Sequence, residues 1–416
     1  MFLAEKDGKV VFRSADLKQL YNSVEDNIHN YLYDYEGRIE HKRAICYVNL
    51  IDNLVSHFFA SYGLTPHTLP EECLFRVKRY ELVRKLLPLS LQIQLSITAL
   101  RLGDLDGLVS TLKDIKLYLT SGRRSRVITK LNRLGFFQED PATMRRIIPN
   151  LDLAFETLIE GLKAHYNEFY SEYWRSVEDR LIDIARRQER ILNASKVIET
   201  IETLSGVKLP ETIFFQPIDV YRYGGRIYVI TLEDEGTLIV TITSSNDSTL
   251  TCIIDAAHEL SHIPINPIKD SQAFTKAIDV LSELVYEDLH KLALHKLAYY
   301  KRKHIDEEWF KRVLSDKKLF RGQVSALVLG SLIELLTTVL QYKVVERLLG
   351  TTRPTHPFMR LGPKLFKTAV KAWKDNLEET VEDLVNEILK SEDLKKDLLQ
   401  MIRHIWCVPS NDDNTI

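Results

Sequence analysis

The sequence has few cysteines. Its 416 residues contain four, Cys46, Cys73, Cys252 and Cys407, and no two of them form a C-x-x-C pair. Such pairs are typical of cysteine zinc sites, and regular cysteine spacings are typical of disulfide frameworks in small secreted domains. Their absence excludes both classes. We therefore expect isolated thiols in a reducing compartment, and hence a cytoplasmic protein.

The sequence also lacks an excess of charge of either sign. Its 56 Lys and Arg and 58 Asp and Glu residues leave a formal net charge of -2. A strongly basic chain would indicate nucleic acid or an anionic membrane as partner. One basic cluster at residues 121–126 allows a helix-turn-helix remnant over residues 123–133, but no second basic stripe supports it. A solvated loop before a small helix is the simpler interpretation, and no nucleic-acid partner is expected.

No long apolar run stands at the start of the sequence, so we expect no signal peptide. Apolar residues make up 45% of the chain and charged residues 27%, which is typical of soluble globular proteins. The chain is long enough for two or three domains.

Hydrophobic patterning predicts a mostly α, α+β fold. Apolar residues recur at helical spacing through about residue 205, beginning with runs at 16–35 and 44–62, and an aromatic stripe at residues 166–174 is typical of a core. The pattern changes after Pro210. Short β-branched runs at 212–215, 226–231 and 236–243 predict a small antiparallel sheet, followed by a helix that begins near Thr249.

That helix carries His258-Glu259-x-x-His262. Residues four apart lie on one face of a helix, so two imidazoles can bind one metal ion, and Glu259 beside them can reach a water on the metal. This is the H-E-x-x-H arrangement of zinc hydrolases. The alternative is a helix whose histidines are packed or solvated.

A helical region, a small sheet and an H-E-x-x-H helix together resemble the gluzincin superfamily, the thermolysin-like zinc metallopeptidases, over residues 165–365. The resemblance implies a bound Zn²⁺, a peptide or protein substrate, and Glu259 as general base. It also implies that residues 238–243 form an exposed edge strand that binds substrate backbone, whereas the alternative is a core strand. We predict a helical N-terminal domain, a zincin-like domain and a C-terminal helical extension, at residues 1–165, 166–364 and 365–416.

A catalytic zinc needs a third protein ligand, and the resemblance implies a glutamate from a later helix. Two glutamates compete. Glu283 points away from the apolar face of its helix, which predicts that it is solvated. Glu334 is the only charged residue in the apolar run at residues 324–340. A carboxylate buried there must be neutralised, paired or bound to a metal, so we favour Glu334. A protonated or arginine-paired core glutamate is the alternative.

The run at residues 324–340 is barely long enough for a membrane span and includes Glu334 with several hydroxyl residues. We predict a buried core helix and no membrane span. Many gluzincins carry E-x-x-A-D on this helix, but Thr338 stands in place of the aspartate, which leaves the partner of the zinc ligands open.

The segment Thr355-His356-Pro357-Phe358-Met359-Arg360 resembles the T/S-H-P-x-x-x-R segment of several gluzincin families, with one residue fewer. The resemblance implies that His356 or Arg360 stabilises an oxyanion or binds a substrate carboxylate. A loop with a structurally paired arginine is the alternative.

The first functional hypothesis is a zinc-dependent peptidase. The second is a catalytically degenerate zincin-fold helical protein that acts as an interaction module.

The spacing of the two histidines predicts about one zinc ion per chain, because both rings lie on one helical turn. Replacing His262 with alanine should abolish stoichiometric zinc, measured by elemental analysis of protein purified without an affinity tag. Full zinc content in that variant would place the metal elsewhere.

Overall fold

The structure is a computed structural model that describes residues 43–62, 73–80, 102–121, 150–220, 226–232, 236–245, 248–302, 308–350 and 357–406, with short strands at 4–6 and 9–11 and isolated residues at 83, 95, 99, 127, 131 and 148. The chain forms two compact units. Unit 1 comprises Met1–Lys196 and Pro210–Ala256, and unit 2 comprises Val197–Leu209 and Ala257–Ile416. The division into three domains stays a prediction.

Helices dominate the described residues, as the patterning predicts. In chain order the strands and helices are β1 (Ala4–Lys6), β2 (Lys9–Val11), β3 (Ala44–Cys46), α1 (Leu50–Ser61), α2 (Leu105–Ser121), α3 (Leu151–His165), α4 (Ser171–Ser195), α5 (Val197–Ser205), β4 (Ile213–Ile218), β5 (Arg226–Leu232), β6 (Gly236–Ser244), α6 (Thr249–Ile265), α7 (Gln272–Arg302), α8 (Glu308–Ser315), α9 (Lys317–Leu349), α10 (Pro357–Leu361), α11 (Pro363–Ala372), α12 (Leu377–Lys390) and α13 (Glu392–Ile405). A π-helical turn at Tyr166–Tyr170 joins α3 to α4.

The main sheet of unit 1 has the strand order β3-β4-β6-β5. β3 pairs with β4 and β4 with β6 in parallel, and only β5 runs antiparallel to its neighbour β6. The prediction of an antiparallel sheet is therefore wrong. Period-two alternation is the same in both kinds of pairing, and the parallel partners are far apart in sequence, so local pattern cannot distinguish them.

Strand β6 lies inside the sheet, between β4 and β5. Its residues Val240, Thr241, Ile242 and Thr243 are buried. The prediction of an exposed edge strand at residues 238–243 is therefore wrong, and the core-strand alternative is correct. Both sides of the β6 backbone already have strand partners, so it cannot accept an added strand.

Residues 44–46 were predicted to begin a helix, and they form strand β3 instead. The side-chain oxygen of Asn193 on α4 accepts hydrogen bonds from the backbone N–H groups of Arg43 and Ala44, each at 3.0 Å. Helix α1 begins only after Asn49, whose side chain accepts from the N–H groups of Ile51 and Asp52. The predicted helix start is therefore wrong because an asparagine cap places it later.

The core of unit 1 contains the aromatic stripe, as predicted, with Tyr170 and Trp174 buried. It also contains His57 and His165, whose Nδ1 and Nε2 atoms lie 2.9 Å apart. Burial lowers the pKa of His57 to about 4. Burial and the neighbouring His57 lower the pKa of His165 to about 2. Both rings are therefore neutral at physiological pH.

Unit 2 is built around α9, which packs against α5, α7, α8, α11 and α13. In the described part of the chain, α9 is the one helix long and apolar enough, by length and composition, to cross a membrane; 61% of its most apolar stretch is buried. Core helices of soluble proteins have the same character. The absence of a membrane span stays a prediction.

The buried histidines of unit 1 predict acid sensitivity. The folded-state pKa of His57 lies below the unfolded value of about 6.5, so the unfolded chain takes up protons first as pH falls. Stability is fully present above about pH 6.5 and declines toward pH 4, with a loss of about 2 kcal/mol from His57 alone by pH 5.

Urea unfolding at pH 7.5 and pH 5.0 measures this loss. His57→Phe, which removes one titrating ring, should make the difference between the two pH values smaller. His404→Gln changes an exposed histidine and serves as the control. An unchanged difference in His57→Phe would contradict the assignment.

Candidate metal centre

Helix α6 determines the separation of the two histidines. It begins at Thr249, as predicted, and continues through Pro264 to Ile265. His258 and His262 lie one turn apart, with ring centroids separated by 5.1 Å and planes nearly perpendicular. Leu260 and Ser261 between them are fully buried. Burial of these two residues fixes the rotation of the helix, so both histidines project from the same side.

Glu334 reaches the two histidines from α9. Its Oε1 lies 3.0 Å from Nε2 of His258, and its Oε2 lies 3.7 Å from Nε2 of His262. One ligand atom from each of the three residues lies within 4.8 Å of the others. The structure thus brings together the three residues that the sequence nominated as metal ligands. All three belong to unit 2.

The site is shielded from solvent without being sealed. The side chains of His258 and His262 are 12% and 16% exposed, and that of Glu334 is 24% exposed. Two imidazole nitrogens and one carboxylate oxygen form the His₂Glu donor set of catalytic zinc sites, which keep a fourth position for water or substrate. The residues present therefore fit a zinc ion, and the remaining exposure allows a small ligand to enter.

The carboxylate of Glu334 dominates the electrostatics of the site. Burial alone would lower the pKa of His258. The hydrogen bond and charge of Glu334, the charge of Glu259 and a contact with Gln341 outweigh burial and raise this pKa to about 9. In the metal-free chain His258 and Glu334 consequently form an ion pair at neutral pH. A cation that binds the three residues must displace the proton on His258.

Two further side chains contact the histidines on their outer nitrogens. Oε1 of Gln341 lies 3.3 Å from Nδ1 of His258, and Oγ1 of Thr337 lies 3.2 Å from Nδ1 of His262. The hydroxyl of Thr338 donates to the backbone oxygen of Glu334 at 2.7 Å. Thr337 and Gln341 thus contact the outer nitrogens of the two histidines.

Sequence reasoning considered position 338 and missed positions 337 and 341. A detectable signal was present. At about 100° per residue, the five polar residues between positions 331 and 341 lie within about a third of the helix circumference. This polar stripe comprises Ser331, Glu334, Thr337, Thr338 and Gln341.

Glu259 is buried, with 7% of its surface exposed. Its charge contributes to the raised pKa of His258, which places the carboxylate near the ligand set. Glu283, the competing ligand candidate, is 72% exposed and pairs with Arg321 at 3.2 Å. The helical wheel correctly predicted this solvated position.

The other catalytic candidate, His356, lies outside the described residues. Arg360, named with it, lies on α10 and is exposed.

Comparison with known proteins finds no counterpart: no family model matches the chain, no curated protein matches its sequence and no solved structure matches its fold. The resemblance to gluzincins therefore rests on the residues quoted above.

The site geometry predicts different outcomes for two glutamates of unit 2. Glu334→Gln should weaken zinc binding by at least about tenfold, because it removes the anionic ligand, whereas Glu283→Gln should have no effect. Competition with a chromophoric chelator measures both affinities. Zinc should also raise the melting temperature of wild type and of Glu283→Gln more than that of Glu334→Gln. Equal affinities in all three proteins would exclude Glu334 as a ligand.

Proposed function

We propose that the protein is a zinc-dependent peptidase. The observation that carries the proposal is the convergence of Glu334, the single charge of an apolar run, on both histidines of the H-E-x-x-H helix. A single protonated histidine would be enough to pair the charge of this carboxylate. Its two oxygens instead face the Nε2 atoms of two different histidines, and three convergent donors are typical of a metal site.

His258, His262 and Glu334 would hold the ion. A bound zinc ion supplies Lewis acidity, which polarises a carbonyl and lowers the pKa of water. Glu259 would accept the proton of the attacking water and transfer it to the leaving amine. Because Glu259 directly follows His258 on a rigid helix, its carboxylate stays beside the ligand set without serving as a ligand itself.

The burial of Glu259 supports this role. Charges interact more strongly where water is scarce, so a carboxylate in this position is sensitive to the charge on nearby groups. The geometry of the four residues thus supports general-base chemistry at a metal site.

The class of substrate follows from the gluzincin resemblance, which implies a peptide or protein. Cytoplasmic location belongs to the same proposal and is supported by Cys46, Cys73 and Cys252, which form no disulfide among the described residues. The proposed function includes neither a nucleic-acid partner nor a membrane span.

A catalytically degenerate zincin-fold interaction module is the second candidate, and two observations favour it. The hydroxyl of Thr338, at the usual aspartate position, bonds to backbone. Strand β6 is an interior strand and cannot bind substrate backbone in the way that the resemblance implies. Hydrolysis of a peptide by zinc-loaded protein distinguishes the two candidates.

The proposed mechanism predicts that Glu259→Gln keeps zinc and loses hydrolysis. Removing a general base should lower the rate by about 10²–10⁴-fold, while the metal ligands are unchanged. A library of quenched fluorescent peptides measures cleavage, and elemental analysis measures zinc.

Glu287→Gln is the matched control, because Glu287 is an exposed glutamate on α7. Wild-type cleavage by Glu259→Gln would remove Glu259 from the mechanism. Zinc-loaded wild type that cleaves no peptide of the library would favour the interaction module.

A further inference from the structure

We propose that Gln341 and Thr337 are the positioning residues of the metal centre: they hold His258 and His262 in the tautomer that presents Nε2 to a cation. This inference rests on the proposed function, because it assigns roles around the same three ligands. It assigns the outer contacts of the histidines to an amide and a hydroxyl rather than to a carboxylate.

The contact of Gln341 defines the tautomer of His258. An amide oxygen only accepts hydrogen bonds, so the Nδ1 atom of His258, 3.3 Å from Oε1 of Gln341, must carry the hydrogen. In the neutral ring the lone pair then lies on Nε2. Nε2 is also the atom that faces Glu334, at 3.0 Å. The amide therefore directs the metal-binding nitrogen of His258 toward the carboxylate.

Thr337 contacts Nδ1 of His262, as Gln341 contacts Nδ1 of His258. Its hydroxyl lies 3.2 Å from Nδ1, while Nε2 of the same ring faces the second oxygen of Glu334. A hydroxyl can donate or accept. When Nε2 binds a cation, Nδ1 carries the ring hydrogen, and the oxygen of Thr337 accepts it. Both rings thus have Nε2 directed toward Glu334 and Nδ1 directed toward a neutral acceptor.

One helix carries the third ligand and both positioning residues. Glu334, Thr337 and Gln341 stand at i, i+3 and i+7 of α9, which places them on one face. Thr337 is fully buried and Gln341 is 1% exposed, so packing restricts their rotamers. Because Glu334, Thr337 and Gln341 belong to one helix, their positions relative to one another are fixed by the helical backbone.

The neutral character of both positioning residues has a chemical consequence. A carboxylate that accepts from a ligand histidine makes the ring a stronger donor and adds negative charge. Here the ligand set contributes one negative charge, that of Glu334. With one anionic ligand, a divalent cation held there would keep a net positive charge, which would favour polarisation of a substrate carbonyl.

Adjacent threonines provide a matched test. Thr337 and Thr338 are both fully buried on α9; the hydroxyl of Thr337 lies 3.2 Å from Nδ1 of His262, whereas that of Thr338 donates to the backbone oxygen of Glu334. Valine replaces threonine with nearly the same shape and removes the hydroxyl in both variants. Gln341→Met tests the amide in the same way.

Zinc affinity of the full chain, measured by chelator competition, should fall about 10- to 100-fold in Thr337→Val and in Gln341→Met. Thr338→Val should bind zinc as wild type does. Thr337→Ser, which keeps a hydroxyl, and Gln341→Glu, which keeps an acceptor oxygen, should retain most of the wild-type zinc affinity. The visible spectrum of the cobalt-loaded protein should change in Thr337→Val and stay unchanged in Thr338→Val.

The wild-type protein provides a second measurement that needs no variant. Long-range proton–nitrogen NMR spectra of the zinc-loaded chain should show hydrogen on Nδ1 and none on Nε2 in both histidines. Hydrogen on Nε2 in either ring would overturn the inference.

These measurements distinguish failure of the proposed function from failure of this inference alone. Wild-type chain that binds no zinc would overturn the proposed function and this inference together. Zinc binding that depends on Glu334 but is as tight in Thr337→Val and Gln341→Met as in wild type would overturn the inference alone. Equal weakening in Thr337→Val and Thr338→Val would also overturn it, because it would indicate a general effect on α9.

Discussion

The placement of one carboxylate inside an apolar helix is the constraint on which the site depends. Glu334 stands in α9, the helix around which the other helices of unit 2 pack. A carboxylate withdrawn from water without compensation costs several kcal/mol, so its surroundings must supply positive charge or hydrogen bonds. His258 supplies both, and Nε2 of His262 lies 3.7 Å from the second carboxylate oxygen. Both histidines stand on a helix whose own buried residues fix its rotation. The polar stripe of α9 is therefore where the ligands and their partners meet.

The same carboxylate explains why buried histidines behave differently in the two units. His57 and His165 are buried among aromatic rings, and their pKa values fall because a charged ring would lose its hydration. His258 is also withdrawn from water, yet its pKa rises to about 9, because Glu334 stabilises the charged ring. The first pair forms a neutral core, whereas we propose that the second site binds a cation. The opposite directions of the pKa shifts follow from the neighbouring charge, because burial lowers the pKa of all three histidines and only His258 has a carboxylate within hydrogen-bond distance that raises it.

Features of the fold that depend only on local sequence pattern were predictable. The aromatic core stripe and the solvated position of Glu283 follow from the 3.6-residue repeat of a helix, and the start of α6 near Thr249 follows from the polar capping residues before it. The predictions that proved wrong concern pairing between distant segments. The pattern predicts a helix where β3 forms, and the gluzincin resemblance implies an edge strand where β6 lies inside the sheet. The alternation within a strand is the same for an edge or an interior position, and for parallel or antiparallel neighbours, so only the strand partners decide.

The sequence by itself determined that His258 and His262 share one helical face and that Glu334 is the lone charge of the apolar run at residues 324–340, because both statements depend only on helical period and residue type. Tertiary structure decided that Glu334 meets both histidines, and that Thr337 and Gln341 contact the rings. Adjacent helical positions point about 100° apart, so the rotation of α9 relative to the histidines selects which hydroxyl reaches Nδ1. That rotation is set by the packing of α9 against the other helices of unit 2, and no local pattern in the sequence contains it.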